Sequence, residues 1–139
     1  PYFAFTLFAY AFLSLFLDDG TSILLSDSTY VEAKKRLLCR PIDRVNVGGL
    51  RQTITVYELL ANREQVSEEL FQDVHEYTRA FDAYLDRDFA SAVEILQKYV
   101  ACVRQTDKAA EKLLENAITY AANPPPAAWS GASGEQVKH

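Results

Sequence analysis

Between residues 40 and 60 the sequence RPIDRVNVGGLRQTITVYELL leaves the chain few options. β-Branched residues flank a glycine pair: Ile42, Val45 and Val47 lead into Gly48-Gly49, and Ile54, Val56 and then Leu59-Leu60 lead out. Branching at Cβ suits a pleated, half-buried surface. Alternation of period two gathers one set of side chains onto one face. Glycine reaches the positive φ angles of a tight reversal without steric cost. The stretch is predicted to be a β-hairpin, and the rest of the chain has to pack around it.

Upstream, residues 22–25 read as a short buried strand. Ser26 is placed to cap a helix, because its hydroxyl satisfies a backbone N–H of the first turn, and Asp27 adds a favourable negative charge there. That helix is expected to run to about Leu38, with Tyr30, Ala33, Leu37 and Leu38 inward and Lys34, Lys35 and Arg36 near its C-terminal end. Downstream of the hairpin, residues 62–65 form a polar linker. Ser67 followed by Glu68 and Glu69 signals a helix start. Val66, Leu70, Val74, Tyr77, Phe81, Tyr84 and Leu85 recur at three- and four-residue steps, the pattern of an amphipathic helix.

Asp86-Arg87-Asp88 interrupts that pattern. Phe89, Ala92, Val93, Leu96, Val100 and Val103 mark a second helix capped by Asp88. Thr106-Asp107 opens a third, carrying Ala110, Leu113, Leu114, Ala117 and Tyr120 or Ala121 on one face. Asn123 and three prolines end it, since proline lacks the helical donor and restrains its predecessor. Turns this short make neighbouring helices antiparallel. Residues 127–139 are small and polar apart from Trp129 and are expected to be loose, with Trp129 either a docked aromatic anchor or part of that loose tail.

Residues 1–17, PYFAFTLFAYAFLSLFL, carry no charge. A membrane-spanning helix needs about 20 apolar residues, so this segment falls just short. It has no basic region or cleavage site of a signal peptide, and Asp18-Asp19 follow it in place of the basic flank that would set orientation. Three readings fit: the end of a membrane helix, a misassigned coding segment, or a buried core helix. The chain contains no methionine, which points to a fragment or an incomplete gene product.

Composition narrows function mainly by exclusion. A length of 139 residues allows at most one ordinary domain. A net charge of −5 without a basic stripe argues against nucleic acid as a partner. Cys39 and Cys102 lack metal-ligand spacing and are expected to be buried, reduced thiols. Adjacent Asp18 and Asp19 would face opposite ways in a strand. Asp86 and Asp88 suit a turn and a cap. His75 lies off the apolar row of its helix and faces solvent, while His139 ends the chain; neither has metal-ligating partners. No helix follows Gly48-Gly49 to form a phosphate loop, and no nucleophile-elbow signature is present.

The order Leu38-Cys39-Arg40, Asp43-Arg44-Val45, Val47, Gly49 and Val56-Tyr57-Glu58-Leu59 resembles the last hairpin of the class III adenylate/guanylate cyclase catalytic domain. Gly20-Thr21-Ser22-Ile23-Leu24-Leu25-Ser26 with Thr29-Tyr30 is similar to the strand and helix just before it, so the resemblance spans about residues 20–60. Beyond it, the helices and Pro124-Pro125-Pro126-Ala127-Ala128-Trp129-Ser130-Gly131 resemble the C-terminal extension of one cyclase subgroup. Asp88-Phe89-Ala90-Ser91-Ala92 resembles the middle of a tetratricopeptide repeat, although the chain holds fewer than the three repeats a free-standing array needs.

The resemblance implies an α+β fold: a partial cyclase-type, ferredoxin-like strand, helix and β-hairpin, then a three-helix TPR-like extension, preceded by an apolar N-terminal helix. Its segments are residues 1–17, 18–61, 66–122 and 123–139. It implies a parent enzyme, working as a homodimer, that turns ATP or GTP into a cyclic nucleotide for intracellular signalling. Two aspartates of that enzyme hold Mg²⁺ or Mn²⁺ in a two-metal site. The location implied is the cytoplasm or the cytoplasmic face of a membrane, with membrane contact through residues 1–17.

This chain departs from the family at its working parts. The metal-binding aspartates belong to the earlier half of the domain and are absent, so this chain is expected to bind no metal. The helix that engages the nucleotide through Asn and Arg is replaced by apolar residues. The hairpin lysines that include a triphosphate contact correspond to Gly48 and Leu50; Arg51 stands next to them and is either a substitute phosphate cation or an exposed turn arginine. Catalysis by the chain alone is not expected. The alternative is a small helical adaptor built from residues 67–122.

Overall fold

The computed structural model describes residues 23–47, 52–103 and 106–132. The chain divides into two compact units, Pro1–Ser67 and Glu68–His139. Among the described residues it is an α+β protein with a three-stranded antiparallel sheet and four helices. No helix among them is long and apolar enough to cross a membrane. The apolar segment 1–17 lies outside the described residues.

In the first unit, strand β1 (Ile23–Ser26) leads into helix α1 (Asp27–Ala33), followed by strands β2 (Leu37–Val47) and β3 (Gln52–Asn62). The hairpin is present, with β2 and β3 antiparallel along their whole lengths. β1 pairs with the far edge of β3, so the sheet order is β1-β3-β2. Strands β1 and β2 are both antiparallel to β3 and hence run the same way, with α1 connecting them and β3 between: a split β-α-β unit.

Two irregularities modify the alternation expected of the hairpin. The register passes from Pro41↔Tyr57 to Asp43↔Val56, leaving Ile42 as an extra residue. Proline cannot donate a ladder bond, and a bulge beside it absorbs the defect. A second shift, between Leu38 and Cys39, leaves Leu60 extra on β3. Val47, at the end of β2, is 38% exposed.

Ser26 caps α1 as expected: it is extended at φ −75°, and the Thr29 N–H donates to its Oγ at 3.2 Å. The helix nevertheless stops at Ala33, five residues short of the prediction. Leu37 and Leu38 belong to β2, where they pair with Asn62 and Ala61, and Lys34, Lys35 and Arg36 make the turn between. Propensity allowed the helix to continue, but ladder hydrogen bonds to β3 decide the boundary. One sheet face carries Leu25, Tyr57, Leu59 and Cys39, and α1 covers it with Ala33 and Tyr30. Tyr30 stacks on Tyr57 at 3.8 Å, with the ring planes 5° apart.

The second unit holds helices α2 (Glu68–Leu85), α3 (Phe89–Cys102) and α4 (Lys108–Ala122). Their inward rows match the sequence pattern: Val74, Tyr77, Phe81 and Tyr84; Phe89, Ala92 and Leu96; Ala110, Leu113 and Ala117. Helix α3 is central, packing broadly on both α2 and α4, which touch each other little. Ala80, Ala92, Ala110 and Ala117 are fully buried, and small residues at such seams let helices approach closely.

The expectation of a loose tail from Ala127 is corrected for residues 127–132. Trp129 joins the helical core and Ala132 is 1% exposed. Aromatic burial at the bundle end outweighs the small, polar composition that suggested disorder. Residues 133–139 lie outside the described residues.

Asp88 caps α3, accepting from the Ser91 N–H at 3.2 Å. The Ser91 hydroxyl, and then its N–H, hold the Asp88 carboxyl below its ordinary range. A depressed folded pKa contributes stability above the unfolded value that is lost as pH falls through the folded one. Asp82 acts oppositely, since burial and then Asp86 push its carboxyl up. Acidification from pH 5 should therefore weaken the native helical unit more than an Asp88→Asn variant, whose amide caps at any pH. Urea midpoints measured along the pH series check this, because Asp82 is common to both chains.

Candidate functional site

The hairpin tip is where the resemblance puts the nucleotide phosphates. Gly48, Leu50 and Arg51 lie outside the described residues, as do Asp18, Asp19 and His139. What is described is the approach to the tip. Thr53 Oγ1 donates to Asn46 Oδ1 at 2.7 Å across the last rungs, tying the strands together beside the turn. Arg44, two rungs back and opposite Thr55, has its Nε buried without an acceptor. A strand arginine ordinarily carries its charged head to solvent, so burial of this nitrogen follows from the fold and not from the sequence.

Deeper in the sheet, Arg40 and Glu58 face each other across β2 and β3, with Leu24 next in the same row on β1. Arg40 Nε donates to Glu58 Oε2 at 2.8 Å, and the side chains are only 10% and 15% exposed. A charge pair so nearly removed from water holds strand register: a one-residue slip of either strand would put the two groups on opposite faces. Its role is to position the hairpin.

In the helical unit an open groove of about 460 Å³ runs between α2 and α3. Asp73, Glu76 and Arg79 line one wall; Ser91, Glu94, Ile95, Lys98, Tyr99 and Cys102 line the other. Arg79 pairs with Glu76 and Lys98 with Glu94, each at 2.9 Å within its own helix. Lys98, by its hydrogen bond and then its charge, keeps Glu94 below the usual carboxylate range. The charges are thus matched locally, and no field of one sign develops to attract a phosphate. Tyr99 donates to Asp107 Oδ2 at 2.8 Å, joining the groove wall to the cap of α4.

The two thiols differ, contrary to the expectation that both are buried. Cys39 is buried on β2, whereas Cys102 is exposed at the end of α3. Val100, four residues past the inward Leu96, still packs against the core, whereas Cys102 falls off that row, so helical phase decides the matter. Burial pushes the Cys39 thiol up, with Arg63 pulling it partly back. A thiol reagent at neutral pH should label Cys102 alone, with Cys39 reacting only after denaturation, as read by intact and peptide mass.

His75 is solvent-facing, and Asp88 is a cap, as expected. Among the described residues no group of three or more His, Cys, Asp and Glu is placed to hold a metal ion. The described residues therefore do not supply the paired aspartates of the two-metal site that the resemblance implies. No family model, no curated protein and no solved structure matches this chain.

Proposed function

We propose that this chain is the C-terminal part of a class III nucleotide cyclase domain with its TPR-like helical extension, and that it does not catalyse alone. The observation that carries the reading is the sheet order β1-β3-β2 with α1 between β1 and β2. That is the split β-α-β half of a ferredoxin-like fold, in the segment where the sequence resembles the cyclase hairpin. The parent enzyme would act on ATP or GTP with Mg²⁺ or Mn²⁺, as a homodimer, in the cytoplasm or at the cytoplasmic face of a membrane.

In this reading the chain's own residues supply scaffold. The Arg40–Glu58 pair and the Asn46–Thr53 bond hold the hairpin in register, and Arg51 at its turn is the remaining phosphate cation. The purified chain incubated with ATP or GTP and either metal should yield no cyclic nucleotide by chromatography. Formation of product would refute the noncatalytic assignment.

A second reading, a helical interaction module, is supported by the open groove between α2 and α3 and by the central packing of α3. Coding sequence upstream of Pro1 separates the two. An open frame with two metal-binding aspartate motifs supports the cyclase part; a nearby stop codon supports the module.

A further inference from the structure

Arg87 sits where a glycine is ordinarily needed. Helix α2 closes with the Asp88 N–H bonded to the Ala83 carbonyl at 2.9 Å and the Arg87 N–H to the Tyr84 carbonyl at 3.1 Å. That paired closure requires a left-handed residue at Arg87, whose φ is 64°. A residue with a Cβ is strained there, so its side chain must compensate. The guanidinium donates from Nη1 to the Pro126 carbonyl at 3.0 Å and from Nη2 to the Pro125 carbonyl. It also lies 5.9 Å from the centre of the Trp129 ring, within cation–π range.

Trp129 completes the contact. Its ring centre lies 5.3 Å from Tyr84, 5.8 Å from Phe89 and 5.4 Å from Tyr120, so α2, α3 and α4 each contribute one wall. Pro125 is buried, and a left-handed Gly131 at φ 89° turns the chain so that Ala132 is buried as well. An aromatic wall, donors aimed at proline carbonyls and a preformed proline-rich segment are the elements by which domains recognise proline-rich peptides.

We propose that the joined ends of α2, α3 and α4, with Arg87, are a binding site for a Pro-Pro-x-x-Trp segment, occupied within this chain by residues 124–132 as an intramolecular ligand. The strap follows directly from Asn123 at the end of α4. Its indole N–H is buried without an acceptor, so release restores a hydrogen bond to water and offsets part of the lost contact. Occupancy is therefore reversible, and the same segment supplied on a separate peptide competes for the site.

Trp129 is the chain's single tryptophan, which makes the test specific. The full chain carrying Trp129→Ala is titrated with a peptide of residues 123–132, following the peptide's fluorescence. The expected result is a saturable blue shift with protection from acrylamide, weakened about tenfold or more by adding Arg87→Ala. A scrambled peptide that binds equally, or no binding while the helical circular dichroism is retained, overturns the proposal. If Trp129→Ala loses the helical signal, acrylamide quenching of the native chain and of Arg87→Ala decides instead. Greater Trp129 accessibility in Arg87→Ala with helix content kept supports the site; unchanged accessibility overturns it.

Discussion

Leu96→Ala should lower the stability of the helical unit by about 3 kcal/mol, within the range of about 2–5 for buried leucines. Leu96 is fully buried at the middle of α3, the helix that both neighbours pack against. Its loss removes apolar contacts from two helix interfaces at once. The fully buried alanines Ala92, Ala110 and Ala117 offer little side chain to move into the space. The cavity term should therefore remain largely unrelaxed. Leu96→Met, which conserves volume, should cost less than about 1.5 kcal/mol. Urea unfolding followed by Trp129 emission reports this unit specifically, because the ring packs in its core. A loss below about 1 kcal/mol for the alanine variant would mean that α3 is not the packing centre.

Arg40→Ala should cost the sheet unit about 3 kcal/mol, the lower end for breaking a buried ion pair. The lower end applies because the two side chains retain 10% and 15% exposure. The loss comes from removing the Arg40 charge from beside Glu58, whose side chain is largely out of water. Arg40→Met combined with Glu58→Leu should recover nearly all of it, since apolar replacements spare both desolvation penalties. Cys39 offers the readout: it lies on β2 and is buried only while the sheet is folded. In a Cys102→Ser background, the urea concentration at which Cys39 becomes reactive should fall for the single variant and return for the double. Equal losses in both would assign the effect to side-chain packing.

The helical unit was legible because its helices are amphipathic with short turns and strong caps. Asp88 and Asp107 each accept from an N–H three residues on, and the apolar steps at Val74, Tyr77, Phe81 and Tyr84 became the buried row. The paired strands of the hairpin were legible for a similar reason: β-branched residues in alternation act locally. The predicted phosphate residue Arg51 lies outside the described residues. The Arg40–Glu58 pair could not be read from sequence, because partners 18 positions apart become adjacent only through cross-strand register.

Local chemistry by itself therefore determined the caps, the two strands of the hairpin and the inward helical faces of this protein. Tertiary structure alone decided where α1 stops, which residue of β2 is extra and whether the tail is bound. In each case a competing local preference was weak, and a partner distant in sequence outweighed it. β3 claims Leu37 and Leu38 from the helix, and three aromatic rings with Arg87 hold a segment whose composition points to disorder. A few kcal/mol from such distant contacts exceed the fractions of a kcal/mol per residue by which propensities differ.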